Sequence, residues 1–185
     1  MRPGRREMGA AVLEVPLAGQ GLRSAAGELV DWRVSCFREP AGEALLDAVE
    51  RRVRGLIQRF EPTVVAIESP SGVRLQMSPA LGGLVARIRS AARGAGLRFV
   101  AVSPAEVRKR VCGSETATRK EMAEKLAERF EGLGRYCEGV GEVRIPVGRR
   151  EGKRESYKVS SWQKEYWGPM FAAVGVGYAI VAGFE

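Results

Sequence analysis

The sequence of 185 residues contains no histidine and only two aspartates, Asp31 and Asp47. Without histidine, the protein has no imidazole that could act as a general base, activate a serine or cysteine nucleophile, or bind zinc. The remaining acidic residues are all glutamates, so a site that needs several aspartates has almost none available. Any acid–base or metal chemistry must therefore depend on glutamate, lysine, tyrosine or cysteine.

Cysteines and long apolar segments are also scarce. The three cysteines, Cys36, Cys112 and Cys137, are far apart and form no C-x-x-C pair, which argues against a zinc knuckle or a disulfide framework. We expect reduced, mostly structural thiols in a cytoplasmic protein. No apolar run approaches the roughly 20 residues that a bilayer-spanning helix needs, and no apolar segment of a signal peptide follows the basic N-terminus. We therefore predict no membrane association.

Basic residues, in contrast, are abundant. The 30 lysines and arginines outnumber the 22 acidic residues, which gives a formal net charge of +8. A basic protein without targeting signals most often binds a polyanion, and nucleic acid is the first candidate. Hydrophobic residues at 45% and charged residues at 28% are typical of a globular chain. The length, with no internal repeat or linker, predicts one domain over residues 1–185.

Hydrophobic periodicity predicts strands and helices that alternate along the chain. The apolar run Thr63–Ile67 is typical of a strand buried on both faces. Capping boxes at Ser103 and Thr118 begin two of the later helices. The predicted strands cover 10–15, 28–37, 63–67 and 97–102, and the predicted helices cover 41–60, 78–94, 104–113, 118–130 and 166–182. This order predicts an α/β arrangement with helices packed on a sheet.

A basic β-hairpin is predicted over residues 142–160, before the final helix. Its strands are Glu142–Val147 and Glu155–Val159. The basic residues of its tip are Arg149, Arg150, Lys153 and Arg154. Such a tip either improves solubility or inserts at a nucleic-acid junction, and the sequence leaves both interpretations open.

Several short motifs occur in an order that resembles a known family. They are Pro3-Gly4 followed by Gly9 and a strand, Val64–Glu68, the strand-to-helix step Val102–Lys109, and Lys120 at the start of the next helix. Together they resemble the RuvC branch of the RNase H-like nucleases over most of residues 3–130 and weakly over 161–182. The resemblance implies an RNase H-like α/β fold, a mixed sheet with helices on both faces and the basic hairpin inserted before the last helix. It also implies a homodimer interface on the helix at 78–94.

The resemblance implies a two-metal nuclease site of which this sequence keeps one acid. Glu68 matches the family's glutamate at a strand end and would be the remaining catalytic residue and ligand for Mg²⁺ or Mn²⁺. Arg2 stands where the first acid is expected, and the family's central first strand has no counterpart before it. Ala172 stands where the last helix should carry an aspartate, although Glu165 lies near enough in sequence to be a substitute. Because one carboxylate cannot hold two Mg²⁺ ions, we expect impaired or lost catalysis.

Basic side chains on two helices and on the hairpin are the predicted nucleic-acid contacts. They are Arg108, Lys109, Arg110, Lys120, Arg149, Arg150, Lys153 and Arg154. Among them, Lys120 resembles the DNA-contacting lysine of the family. The alternative is that these residues form solvated helix faces, as charge runs usually do.

Two functions of different classes follow from these observations. The first is a nucleic-acid-binding domain of the RuvC-type, structure-selective, Mg²⁺-dependent endonuclease lineage, a pseudoenzyme of DNA recombination or repair that binds branched or duplex DNA. The alternative is a non-enzymatic structural or assembly subunit that uses the inherited fold for protein contacts. An upstream start codon that restored the first strand and its aspartate would revive the enzyme hypothesis.

Overall fold

The described strands and helices follow the order that the sequence predicts. The structure, a computed structural model, describes residues 6–15, 27–69, 79–137 and 161–183. Its strands are β1 (Arg6–Glu14), β2 (Glu28–Phe37), β3 (Val64–Glu68) and β4 (Arg98–Val102). Its helices are α1 (Glu43–Phe60), α2 (Pro79–Gly94), α3 (Pro104–Cys112), α4 (Arg119–Arg129), α5 (Gly134–Cys137) and α6 (Ser161–Val181). Within these ranges, no helix is both long enough and apolar enough to cross a membrane.

A few elements differ from the sequence prediction. β1 begins at Arg6 rather than at residue 10, because its backbone already pairs there with Phe37 of β2. α6 begins at Ser161 rather than at residue 166, since its polar first turn carries no apolar periodicity. The prediction contains neither the 3-10 turn Glu131–Leu133 nor α5, because such short elements leave little pattern in a sequence. The predicted hairpin at 142–160 lies outside the described residues.

The described strands form two pairs rather than one continuous sheet. β1 and β2 are antiparallel along their whole length. β3 and β4 are parallel, from Val64 opposite Arg98 to Glu68 opposite Val102. Within the described residues, no backbone ladder joins one pair to the other. In the described ranges, the mixed sheet expected from the sequence therefore consists of an antiparallel pair and a parallel pair.

Helices cover both faces of these strand pairs, as the sequence predicts. One core lies between α3, α4, α6 and the strands, and its largest fully buried side chains are Val107, Leu126, Leu133, Met170 and Val174. The other core lies under α1 and α2 and contains Val49, Val53, Ile88 and Ala91, with Met8, Phe37, Val65, Ile67 and Phe99 from the strands. Because each core includes residues from both strand pairs, the pairs lie in one layer between two layers of helices.

The last helix, α6, lies along β1 with its backbone close to the strand. Gly9 of β1 faces the backbone of Pro169, and Leu13, four residues farther along the strand, contacts Gly177. The helix and the strand therefore run in the same direction. α4 packs beside α6 in that direction too, from Gly175 onward. The N-terminal ends of β1 and α6 consequently lie at one end of the molecule, and α4 begins level with the middle of α6.

Candidate nucleic-acid interface

Glu68 is the last residue of β3 and lies at the edge where both parallel strands end. It is opposite Val102 in the pairing, and the next backbone N–H, that of Ser69, donates to the Val102 carbonyl at 2.9 Å. β4 passes directly from Val102 into α3. The strand register therefore fixes the start of α3 beside Glu68. This is the arrangement expected when two parallel strands end at the same edge of a sheet.

Side-chain caps fix the first turns of α3 and α4, which carry the basic residues. The Ser103 hydroxyl accepts a hydrogen bond from the Glu106 N–H at 3.1 Å. The Thr118 hydroxyl accepts from the Glu121 N–H at 3.2 Å, and the Glu121 carboxylate accepts from the Thr118 N–H at 2.6 Å. Both predicted helix starts are confirmed, and the second makes Arg119 the first residue of α4.

Two arginines act electrostatically on Glu68. Arg108 projects from α3, and its Nε donates to the Glu115 carbonyl at 2.7 Å, which ties the loop before α4 to α3. Arg119 is exposed and, within the described part of the chain, forms no hydrogen bond or ion pair. Both guanidinium groups favour the charged form of Glu68. Arg108 is among the DNA contacts predicted from the sequence and Arg119 is not, although its position directly after an N-cap was an available signal.

The Glu68 carboxyl is crowded by protein atoms although the residue as a whole remains solvent-exposed. Burial raises the pKa of Glu68 above its ordinary value, and the positive charges of Arg119 and Arg108 partly oppose this effect. Among the described residues, no cation lies within 4.0 Å of its carboxylate. In the described part of the chain, Glu68 is therefore not locked into an ion pair with either guanidinium group.

The other predicted basic residues on these helices have acidic partners. Lys109 pairs with Glu115 at 3.1 Å. Arg110 pairs with Glu106 at 2.7 Å, and it also donates to a carbonyl of α6. Lys120 lies 3.6 Å from a carboxylate oxygen of Glu124. These exposed pairs hold their cations only weakly, but Arg110 in addition joins two helices. The remaining predicted contacts, Arg149, Arg150, Lys153 and Arg154, lie outside the described residues.

The acids in the described part of the chain do not fit a pair of divalent metal ions. No group of three histidine, cysteine or acidic side chains there could hold a metal ion. Ala172 brings only a methyl group to α6, while Arg2 and the side chain of Glu165 lie outside the described residues. Mg²⁺ requires several oxygen ligands, and the arginines beside Glu68 repel a cation. The donor set of the described residues therefore does not fit a two-ion site, and the loss of catalysis stays a prediction.

A second acid, which the sequence analysis did not single out, is Glu7 near the start of β1. Its Oε1 atom is buried and accepts no hydrogen bond from the described residues. Residues two apart on a strand share a face, so Glu7 is on the same face as Gly9, which meets α6. A buried acceptor without a donor costs free energy, and within the part of the chain that the structure describes Glu7 is therefore a local weak point.

We expect Glu7→Met to raise the free energy of unfolding by about 1 kcal/mol, because it replaces an unsatisfied buried oxygen by an apolar group of similar volume. Urea denaturation followed by circular dichroism measures this change. Glu14→Met is the matched control, since Glu14 is exposed at the other end of β1, and there we expect a change below about 0.5 kcal/mol. A lower stability for Glu7→Met would mean that Glu7 has a partner.

Two solved structures of RuvC from Thermus thermophilus are similar to this chain. The first is a T. thermophilus RuvC structure with a TM-score of 0.58 and 19% sequence identity, and the match covers 94% of this chain and 84% of that chain. The second is T. thermophilus RuvC in complex with Holliday junction substrate, with a TM-score of 0.59, 19% identity, and coverage of 91% and 82%. Neither a protein-family model nor a curated protein sequence matches this chain. The fold is therefore RuvC-like, as the motif resemblance implies.

Proposed function

We propose that this protein is a nucleic-acid-binding domain of the RuvC-type nuclease lineage, which binds branched DNA and has lost most or all of its catalysis. The observation that carries the proposal is the strand register, which places the start of α3 beside Glu68, together with the positive charges of Arg108 and Arg119, which both act on the Glu68 carboxyl. One of the similar structures contains RuvC with a Holliday junction substrate. A basic edge on the same fold is suited to the same class of ligand.

Charge supports the binding half of the proposal. The net charge of +8 attracts a polyanion, and arginine pairs its planar guanidinium with phosphate oxygens through two parallel hydrogen bonds. Phosphate contacts position a protein on DNA without reading its sequence. We therefore expect preference to come from the shape of a junction rather than from its bases.

The acid inventory supports the second half. Phosphodiester hydrolysis by two Mg²⁺ or Mn²⁺ ions needs several converging carboxylates. In the described residues Glu68 is the acid at the strand edge, and no group of three possible ligands surrounds it. We propose a role in DNA recombination or repair that depends on binding, with metal-dependent cleavage weak or absent.

The test is binding of a four-way junction and of a linear duplex, measured by fluorescence anisotropy over a salt series. We expect tighter binding to the junction and an affinity that falls with salt, with a slope of about −0.9 per phosphate contact in a log–log plot. A salt-independent signal, or no binding, would contradict the proposal and favour the assembly subunit, whose protein contacts do not depend on released counterions.

Cleavage is measured in parallel on the same junction with Mg²⁺ and with Mn²⁺. We expect no cleavage above background by the wild type or by Glu68→Ala. Cleavage by the wild type that disappears in Glu68→Ala would show a working metal site, and the proposed loss of catalysis would then be wrong.

A further inference from the structure

We infer that the end of β3 is a phosphate-binding site that works without a metal ion: Arg108 and Arg119 bind one phosphate of the DNA, and Glu68 weakens that binding. The inference rests on the proposed function and makes it specific, because it names the ligand group and the residues. The RuvC-like fold leads us to expect several metal ligands at this edge. The side chains that we assign to it are instead one glutamate and two arginines.

Arg119 is available to bind an anion. It is exposed at the N-terminal end of α4 and has no hydrogen bond or ion pair within the described ranges. Its five N–H donors therefore lack protein acceptors there. Nearby Lys109 and Lys120 differ in this respect, because each has a glutamate partner.

Arg108 is held in position by the loop that precedes α4. Its Nε donates to the Glu115 carbonyl at 2.7 Å, so one edge of the guanidinium is held by the loop that precedes α4. The two terminal nitrogens have no acceptor among the described residues. A guanidinium that is already oriented loses less side-chain entropy when it binds an anion. The same loop that orients Arg108 leads into Arg119.

The negative charge of Glu68 distinguishes a phosphate site from a metal site. The strand register places it beside the start of α3, and no cation in the described residues lies within 4.0 Å of it. A phosphate bound by both arginines would have this carboxylate as a neighbour of like charge, which reduces affinity. A metal ion would instead be attracted by Glu68 and repelled by both arginines. Removal of the Glu68 charge therefore raises DNA affinity if the arginines bind phosphate directly, and lowers it if a metal ion at Glu68 binds the phosphate.

The experiment measures junction affinity for the full chain and its variants, in EDTA and in Ca²⁺, a cation that takes oxygen ligands as Mg²⁺ does. We expect Glu68→Gln to tighten binding about fivefold, from the loss of one nearby negative charge. We expect Arg119→Gln to weaken binding about tenfold and to lower the salt slope by about 1. Both effects should be equal in EDTA and in Ca²⁺.

Arg51→Gln is the matched control, because Arg51 is an exposed arginine of α1, which covers the other face of the strands. It removes the same charge, and we expect less than a twofold change in affinity from the small long-range field. All three positions are exposed, and thermal unfolding confirms that the variants fold.

Three results would overturn the inference. In the first, Ca²⁺ tightens binding by the wild type and Glu68→Gln abolishes that effect, which indicates a metal site. In the second, Glu68→Gln leaves affinity unchanged or lowers it. In the third, Arg119→Gln behaves like Arg51→Gln. If any of these results is found while the wild type still shows salt-dependent junction binding, the proposed function remains intact. A wild type that binds no DNA would contradict both the proposed function and this inference.

Discussion

Gly9→Ala is expected to lower the free energy of unfolding by about 3 kcal/mol, at the upper end of the range for overpacked positions. A Cβ atom at Gly9 would lie 1.7 Å from the carbonyl oxygen of Pro169 and 2.6 Å from the backbone nitrogen of Met170. Backbone atoms cannot rotate away as a flexible side chain does. The strain is relieved only if α6 moves off β1, which would open the contact of Leu13 with Gly177.

Gly82→Ala is the matched control for this prediction. Gly82 is in α2, and a Cβ atom there would have no described atom within 4 Å. Alanine is favoured over glycine inside a helix by up to about 1 kcal/mol, so we expect unchanged or slightly higher stability. Thermal unfolding measures both variants, with a melting temperature about 6–12 °C lower for Gly9→Ala. A Gly9→Ala protein as stable as the wild type would mean that α6 does not pack on β1 at this distance.

The motif that contains Gly9 could be recognised from the sequence, but the physical reason for a glycine at this position could not. Gly9 is important in the sequence only as the second glycine after Pro3-Gly4. In the structure its φ is not positive, so the glycine is not required by a turn. It is required because α6, some 160 residues later in the chain, approaches the backbone of β1. No local pattern can predict an approach between such distant segments.

Local features, in contrast, were predicted accurately. The caps at Ser103 and Thr118 involve groups three residues apart, and their hydrogen bonds form as expected. The apolar run before Glu68 is a strand for the same reason, since its pattern is contained in five residues. Such features depend on interactions that a short window of sequence includes.

The candidate site was predicted in part. Glu68 and Arg108 follow from strand ends and charge runs, and the charge of Arg108 acts on the Glu68 carboxyl. Arg119 was missed because Lys120 beside it matches the family's lysine, whereas the electrostatic neighbour of Glu68 is Arg119. One residue along a helix turns a side chain by about 100°, so a motif match does not determine which of two adjacent cations faces the site.

An apolar strand of five residues joined ahead of Met1 is expected to raise the free energy of unfolding by about 3 kcal/mol, because burial of its side chains exceeds the cost of ordering its backbone. β1 and β3 each have one strand partner among the described residues, although α6 packs against both. Their other edges present N–H and C=O groups that a strand between them would satisfy. Both helical layers are apolar towards these strands, so the added strand must be apolar on both faces.

Two measurements separate strand insertion from a nonspecific effect of the extension. Hydrogen exchange should slow at amides of β1 and β3, and not at those of α1, because only the strand edges gain partners. An extension of equal length with lysine at alternate positions should give no stabilisation, since one face of it would place charges in an apolar core. Equal stability for both extensions would show that the edges of β1 and β3 are not accessible to a strand. Slower exchange at both edges would show instead that the two strand pairs are halves of one sheet with room for a strand between them.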